Sequence, residues 1–152
     1  MGQEVKIRLM RKEDCEAVRK IECACFSIPW SLESIEEVLQ YETHQFLVAE
    51  ANDEIVGYMG MIKTLDEADV TNVAVLPHMR KKGIGELLVR ESLKRAKEEQ
   101  VNTVFLEVRE SNAGAIRLYE KFHFIPISMR KNYYKDPLEN AVIMSANLST
   151  IK

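Results

Sequence analysis

Six consecutive residues, Arg80-Lys81-Lys82-Gly83-Ile84-Gly85, set three positive charges beside two glycines. Glycine lets the backbone come close to a ligand, and free N–H groups with the dipole at a helix start favour an anion. The stretch therefore suits a phosphate-bearing ligand, or else it is a plain turn with a solvated basic rim. Neither the phosphate loop G-x-x-x-x-G-K-S/T nor the dinucleotide fingerprint G-x-G-x-x-G is present. Further on, Glu107 is the single charge within Val104-Phe105-Leu106-Glu107-Val108. Desolvation in such a strand would raise its pKa toward the range of a general base. The other reading is a salt bridge with Arg109 or a lysine. Tyr119, twelve residues later, shares an apolar helical stripe with Ala115, Leu118 and Phe122. That pattern makes it a core aromatic, but a buried hydroxyl still needs a partner.

Other chemistries are less well served. Cys15, Cys23 and Cys25 form an odd set without zinc-finger or C-x-x-C spacing, and His44, His78 and His123 are scattered. We expect reduced, mostly buried thiols and no metal; Cys23 and Cys25, two apart on a helix, should point to different faces. A formal net charge of −3 argues against a general nucleic-acid binder. Residues Met1-Gly2-Gln3-Glu4 open no signal peptide, Lys6 spoils the myristoylation pattern, and no apolar run spans a membrane. A cytoplasmic protein is expected. The length of 152 residues suits one domain over 1–152, and 46% hydrophobic with 30% charged residues is ordinary for a globular chain.

The elements that must position these residues follow from periodicity. Val5 to Met10 alternates as a strand. Lys12 to Phe26 is helical, with Val18, Ile21 and Cys25 recurring at intervals of three and four. Pro29 ends it, and Ser31 can cap a second helix over Leu32 to Tyr41. Strands at Gln45 to Ala51 and Ile55 to Thr64 join through Asn52-Asp53-Glu54, which is hairpin chemistry. A third runs from Asp69 to Leu76. A helix from Gly83 to Gln100 presents Ile84, Leu87, Leu88 and Ala96 inward and Glu86, Lys94, Lys97 and Glu98 outward. Thr103 to Val108 suits a strand covered on both faces. A helix from Ala113 to Phe122 and strands at Phe124 to Tyr133 and Ala141 to Leu148 complete the chain. The order β-α-α-β-β-β-α-β-α-β-β predicts an α/β fold, a mixed sheet of about seven strands with about four helices, parallel only at the central βαβ crossover.

In this order, Arg80-x-x-Gly83-x-Gly85 after Asn72-Val73-Ala74-Val75 resembles the acetyl-CoA loop of the GNAT superfamily of N-acetyltransferases. The match covers nearly the whole chain. Pro29-Trp30-Ser31, Leu65-Asp66-Glu67-Ala68, Leu106-Glu107-Val108-Arg109, Ser111-Asn112, Leu118-Tyr119-Glu120, Asn132-Tyr133-Tyr134 and Ala141-Val142-Ile143-Met144 resemble its RimI branch, which acetylates the terminal alanine of a ribosomal protein. One departure is His123-Phe124, where relatives usually carry Gly-Phe. If a positive φ is needed there, His tolerates it at modest cost.

The resemblance implies acetyl-CoA as cosubstrate, direct transfer in a ternary complex, and no metal. It implies that Glu107 accepts the amine's proton and that Tyr119 protonates the departing CoA sulfur. Cofactor contacts would come from Val73, Ala74 and Val75, from the loop Arg80, Lys81, Lys82, Gly83, Ile84 and Gly85, and from Glu86. Strand Val73–Val75 would splay from its neighbour, offering backbone N–H groups to the cofactor arm and the oxyanion. Asn112 would touch the cofactor while capping the helix that follows it. The acceptor groove would use Phe26, Pro29, Trp30, Tyr133 and Tyr134, with Asp66 and Glu67 holding a cationic terminus; the aromatics could equally be surface-packed rings.

The acceptor pKa favours a chain terminus. At pH 7 deprotonation costs on the order of 1 kcal/mol for an α-amine and nearly 5 for lysine. The resemblance to the RimI branch makes a ribosomal protein's N-terminus the expected partner, with no nucleic acid, no membrane, and a monomer or weak dimer. A second reading gives the same cofactor a small amine, such as a polyamine or an antibiotic. A third, a non-catalytic acyl-CoA-binding module, would need neither Glu107 nor Tyr119.

Overall fold

Two residues in the left-handed region make the first hairpin. Asn52 and Asp53, at φ 53° and 64°, join β2 (His44–Ala51) to β3 (Glu54–Thr64), as a two-residue turn matching the strand twist demands. The computed structural model describes residues 4–150; residues 1–3, part of the expected leader-free start, lie outside them. β1 (Val5–Leu9) pairs with β2, and β4 (Glu67–Val75) pairs with β3, all antiparallel. A helix α3 (Ile84–Glu98) then crosses to β5 (Thr103–Arg109), parallel to β4. After α4 (Ala113–Lys121), the hairpin β6 (Ile125–Tyr134) and β7 (Glu139–Asn147) returns, so the seven-stranded sheet runs β1-β2-β3-β4-β5-β7-β6. The mixed α/β architecture is the expected one.

Two cores flank the sheet. On one face α1 (Cys15–Cys25) and α2 (Leu32–Glu37) bury Val18, Ile21 and Ile35 against Phe46, Val48, Tyr58 and Ala74. On the other, α3 and α4 bury Ile84, Leu88 and Tyr119 with Met59, Leu106 and Phe124. Ser31 caps α2, its Oγ accepting the Ser34 N–H at 3.1 Å.

The differences from expectation have local causes. Lys12–Asp14 forms a 3₁₀ turn before α1, and Val38–Gln40 a second after α2, so both helices are shorter than their sequence pattern. β4 starts at Glu67 because the turn before it is tight, with Leu65 at φ 57°. Leu87 is exposed; the buried stripe of α3 runs through Ile84, Leu88, Val89, Ser92, Leu93 and Ala96. β5 buries Val104, Leu106 and Val108 fully but leaves Phe105 and Glu107 half-buried, so only one face is closed. Cys15 is buried, Cys25 half-buried and Cys23 exposed, so the last is a surface thiol while the two do point to different faces. No described helix is long and apolar enough to cross a membrane.

Candidate active site

The central feature is a gap. β4 and β5 pair only over Glu67–Asp69 against Thr103–Phe105 and then separate. From Val70 to Val75 the β4 edge facing β5 therefore has no strand to bond, while its other edge pairs with β3 through Gly57–Met61. Backbone groups on such an edge are obligatory donors and acceptors. Val73, Ala74 and Val75 lie on it, as the resemblance implied. A flexible amide-bearing chain slid into this gap would satisfy those still unbonded; the Val75 carbonyl already accepts from Cys25 Sγ at 3.4 Å.

The basic loop closes one end of the gap. Gly83 caps α3 at φ +82°, the left-handed region that favours glycine, and an added Cβ there would meet nothing within 4 Å. The cost of substitution is thus conformational rather than steric. Lys81 is also left-handed at φ 63°. The first N–H groups of α3 have no intrahelical acceptor and stand beside exposed Lys81 and Lys82. This arrangement fits a diphosphate. Arg80 is committed elsewhere: its Nε donates to the Val75 carbonyl at 3.0 Å and its guanidinium touches Cys25 Sγ at 3.4 Å. Ile84 is a core residue. The Glu86 carboxylate accepts from Lys121 at 3.2 Å and Arg90 at 3.3 Å and ties α3 to α4. Those partners, Lys121 foremost, hold its pKa below the usual value.

The titratable groups gather at the open end of β5. Glu107 is half-buried, and Arg109 does not neutralise it: Arg109 pairs with Glu139 at 3.2 Å. Glu107 instead faces tyrosines. The Tyr133 hydroxyl is hydrogen-bonded to it, which raises the Tyr133 pKa, with burial adding to the effect. Tyr134 is pushed up to about 12, by burial and then by the charge of Glu107. Tyr119 is also pushed up to about 12, by burial and then by Tyr134. These mutual influences put Glu107, Tyr133, Tyr134 and Tyr119 in one electrostatic neighbourhood. Tyr119 sits edge-on to Phe124 at 5.8 Å, and its hydroxyl bonds no described residue.

Local backbone geometry places Tyr119. Asn112 caps α4, its Oδ1 accepting the Ala115 N–H at 3.1 Å. At the other end His123 takes φ 70°, so the position does use the left-handed region, which His tolerates at modest cost. The Phe124 N–H then bonds the Tyr119 carbonyl at 3.2 Å, which ends the helix and returns Phe124 to the core.

Two walls face each other beyond Glu107. One is the loop between α1 and α2, with Phe26 exposed and Pro29 and Trp30 half-buried. The other is the β6–β7 end, where the Tyr133 and Tyr134 rings meet edge to face at 5.1 Å. Ser27 Oγ donates to the Asp136 carbonyl at 2.7 Å and ties the walls together. The Trp30 ring, however, packs on Phe46 at 6.1 Å rather than with the tyrosines. Asp66 and Glu67 are not brought to the group either. Glu67 pairs with Thr103, four residues before Glu107 and about 13 Å back along the strand. Asp66 closes a turn, its carboxylate accepting from Asn102 Nδ2 at 3.2 Å and its carbonyl from the Asn102 N–H at 2.7 Å. Holding a cationic terminus is thus a role their placement does not favour.

Several working residues escaped the sequence reading. Arg109 donates to the Pro137 and Lys135 carbonyls at 3.0 and 3.2 Å and lies 4.5 Å from the Tyr134 ring, so it shapes one wall. Arg130 covers Tyr133 at 5.6 Å. Glu22, buried in α1, had a visible signal: it follows Val18 by four residues and so falls within the apolar stripe.

Known proteins share this architecture. The family model described as the acetyltransferase (GNAT) family matches residues 15–124. The ribosomal protein bS18-alanine N-acetyltransferase of Haemophilus influenzae is 38% identical over 138 residues, covering 89% of this chain and 93% of that protein. The crystal structure of the Escherichia coli ribosomal-protein-S18-alanine N-acetyltransferase superposes with a TM-score of 0.88 at 31% identity, covering 95% and 94% of the two chains. A Salmonella typhimurium protein solved with its cofactor acetyl-CoA shares the fold at 20% identity, with a TM-score of 0.82 over 95% of this chain and 94% of that one.

Proposed function

The chain belongs to the acetyltransferase (GNAT) family, and on that premise we propose that it carries the acetyl group of acetyl-CoA to the α-amine of a protein N-terminus. The acceptor its relatives' names suggest is a terminal alanine of a ribosomal protein. The work is done by one domain in the cytoplasm, as a monomer or weak dimer, without nucleic acid, membrane or metal. When bound, acetyl-CoA supplies an activated acyl thioester. Lys81, Lys82 and the α3 N-terminus receive its diphosphate, and the unpaired edge of β4 from Val73 to Val75 receives its arm. Asn112 reaches it from the start of α4.

The observation that carries this reading is that Arg109, the cation two residues from Glu107 on β5, pairs with Glu139 instead of with Glu107. Arg109 is spent on Glu139, so the Glu107 carboxylate keeps an oxygen for the acceptor's ammonium proton. A terminal amine has pKa about 7.7 to 8.0, and one modest base suffices at neutral pH. Tyr119, with its pKa pushed up to about 12, holds its proton through that range and donates it to the departing sulfur. N–H groups of β4 stabilise the negative oxygen on the acyl carbon. Transfer is direct, within one ternary complex.

The test is a turnover assay with acetyl-CoA and short peptides differing at residue one, run beside spermidine and a peptide blocked at its N-terminus but bearing lysine. Fastest turnover on an alanyl peptide is expected. Good turnover on spermidine with none on any free N-terminus would sink the reading.

A further inference from the structure

α1 carries a carboxylate on its inward face. Glu22 is 1% exposed, and it bonds three neutral donors among the described residues. Its Oε1 accepts the Trp30 backbone N–H at 2.8 Å. Its Oε2 accepts the Tyr58 hydroxyl, in a very short bond, and Asn72 Nδ2 at 3.3 Å. Burial, with the neighbouring charge of Glu22, holds the Tyr58 pKa far above its usual value, so that hydroxyl stays a donor. A carboxylate buried without a cation is a costly core residue, and an apolar side chain of similar volume would serve packing better. What the carboxylate adds is a join between three places. Trp30 belongs to the loop between α1 and α2, Tyr58 to β3, and Asn72 to the stretch of β4 that borders the gap.

That loop has a second tether, the bond from Ser27 to the Asp136 carbonyl at the β6–β7 end. Ser27 holds it from outside and Glu22 from inside. Between the tethers lie Ile28 and Pro29, with Ile28 exposed. We propose that Glu22 is the positioning residue of the acceptor loop: its carboxylate fixes the Trp30 backbone to β3 and β4 and thereby sets the width of the groove in front of Glu107. This rests on the acceptor reading above. Glu22 touches neither substrate nor cofactor; it acts through the loop. Its removal should weaken peptide binding much more than acetyl-CoA binding, because Gly83 and the first turn of α3 make no bond with Glu22; the loop's tie to α1 runs through Arg80 and Cys25 instead.

The test uses the full chain with Glu22→Leu, Glu22→Gln and Tyr58→Phe. Losing a hydrogen bond to a charged group predicts a peptide KM about tenfold higher in Glu22→Leu, with the acetyl-CoA KM within about twofold of wild type. Glu22→Gln keeps an oxygen for the Trp30 N–H and should recover most of the loss. A purely structural role would lower the melting temperature without this split between the two KM values. An unchanged peptide KM in Glu22→Leu overturns the proposal. Should that variant not fold, Tyr58→Phe decides: a rise of about threefold supports it and an unchanged KM overturns it. Trp30 is the only tryptophan, so its emission reports the loop without any acceptor. If wild-type protein acetylates no peptide, the proposed function fails while the emission still judges Glu22. A Glu22→Leu spectrum identical to wild type would then refute the positioning role, and a shifted one would support it.

Discussion

The two ends of the β4–β5 gap are built differently. At the proposed cofactor end one contiguous stretch would do the work: Lys81, Lys82, Gly83 and the first turn of α3, with a left-handed glycine setting the angle. At the acceptor end nothing is contiguous. The α1–α2 loop, the end of β5 and the β6–β7 hairpin meet through Glu22, Arg109 and the Ser27–Asp136 bond, which spans 109 residues. A site held by backbone conformation tolerates changes in its surroundings and fails when that conformation is lost. A site held by side-chain ties can be loosened one tie at a time. On the proposed function the cofactor is a fixed chemical object and the acceptor a variable one, which accords with the construction of each end.

The largest effects should come where the ends meet. Glu107→Gln and Tyr119→Phe should each lower kcat about a hundredfold, with acetyl-CoA affinity by calorimetry nearly unchanged. Gly83→Val forces a β-branched residue to φ +82° and should weaken acetyl-CoA binding about tenfold, sparing the peptide KM. Arg109→Lys keeps the charge but loses the fork that bonds two carbonyls. It should raise the peptide KM about threefold and leave the cofactor alone, the mirror image of Gly83→Val. Parallel losses of both ligands in either variant would dissolve the distinction.

pH offers a subtler probe. Tyr119 is neutral below about 12 when folded and ionises near 10 when unfolded. The proposed donor is therefore retained between pH 8 and 10, and kcat should show no alkaline fall there from its ionisation. Stability, in contrast, should decline from about pH 10 to 12, since the unfolded state then binds fewer protons. Thermal melts across that window check it. The smallest effect belongs to His123→Gly, which relieves a left-handed residue at the end of α4 and should stabilise the fold by about 1 kcal/mol.

The same contrast explains what the sequence disclosed. The helix start at Gly83 was legible because its parts are neighbours, and the Asn52-Asp53 turn, the Ser31 cap and the Asn112 cap were legible for the same reason. The departure at His123 marked a position where a positive φ was a conditional expectation, and the backbone there does adopt one. Arg80 itself was misjudged, because its bond to the Val75 carbonyl depends on how the chain returns from β4 into the loop. Trp30 looked like a groove aromatic, but its ring packs on Phe46 of β2, far along the chain. Asp66 looked like an ammonium site, but Asn102, 36 residues away, claims its carboxylate. Leu87 fitted the inward pattern of α3, yet three-dimensional packing gave that stripe to Val89 and Ser92. Of the acceptor side's ties, only Glu22 left a local trace, as a charge in an apolar stripe.

The most direct measurement offers the protein acetyl-CoA and one peptide that carries both an N-terminal alanine and an internal lysine, then locates the new acetyl group by mass spectrometry. The acetyl group is predicted on the α-amine, with the lysine unmodified. An acetyl group on the lysine alone would contradict the account.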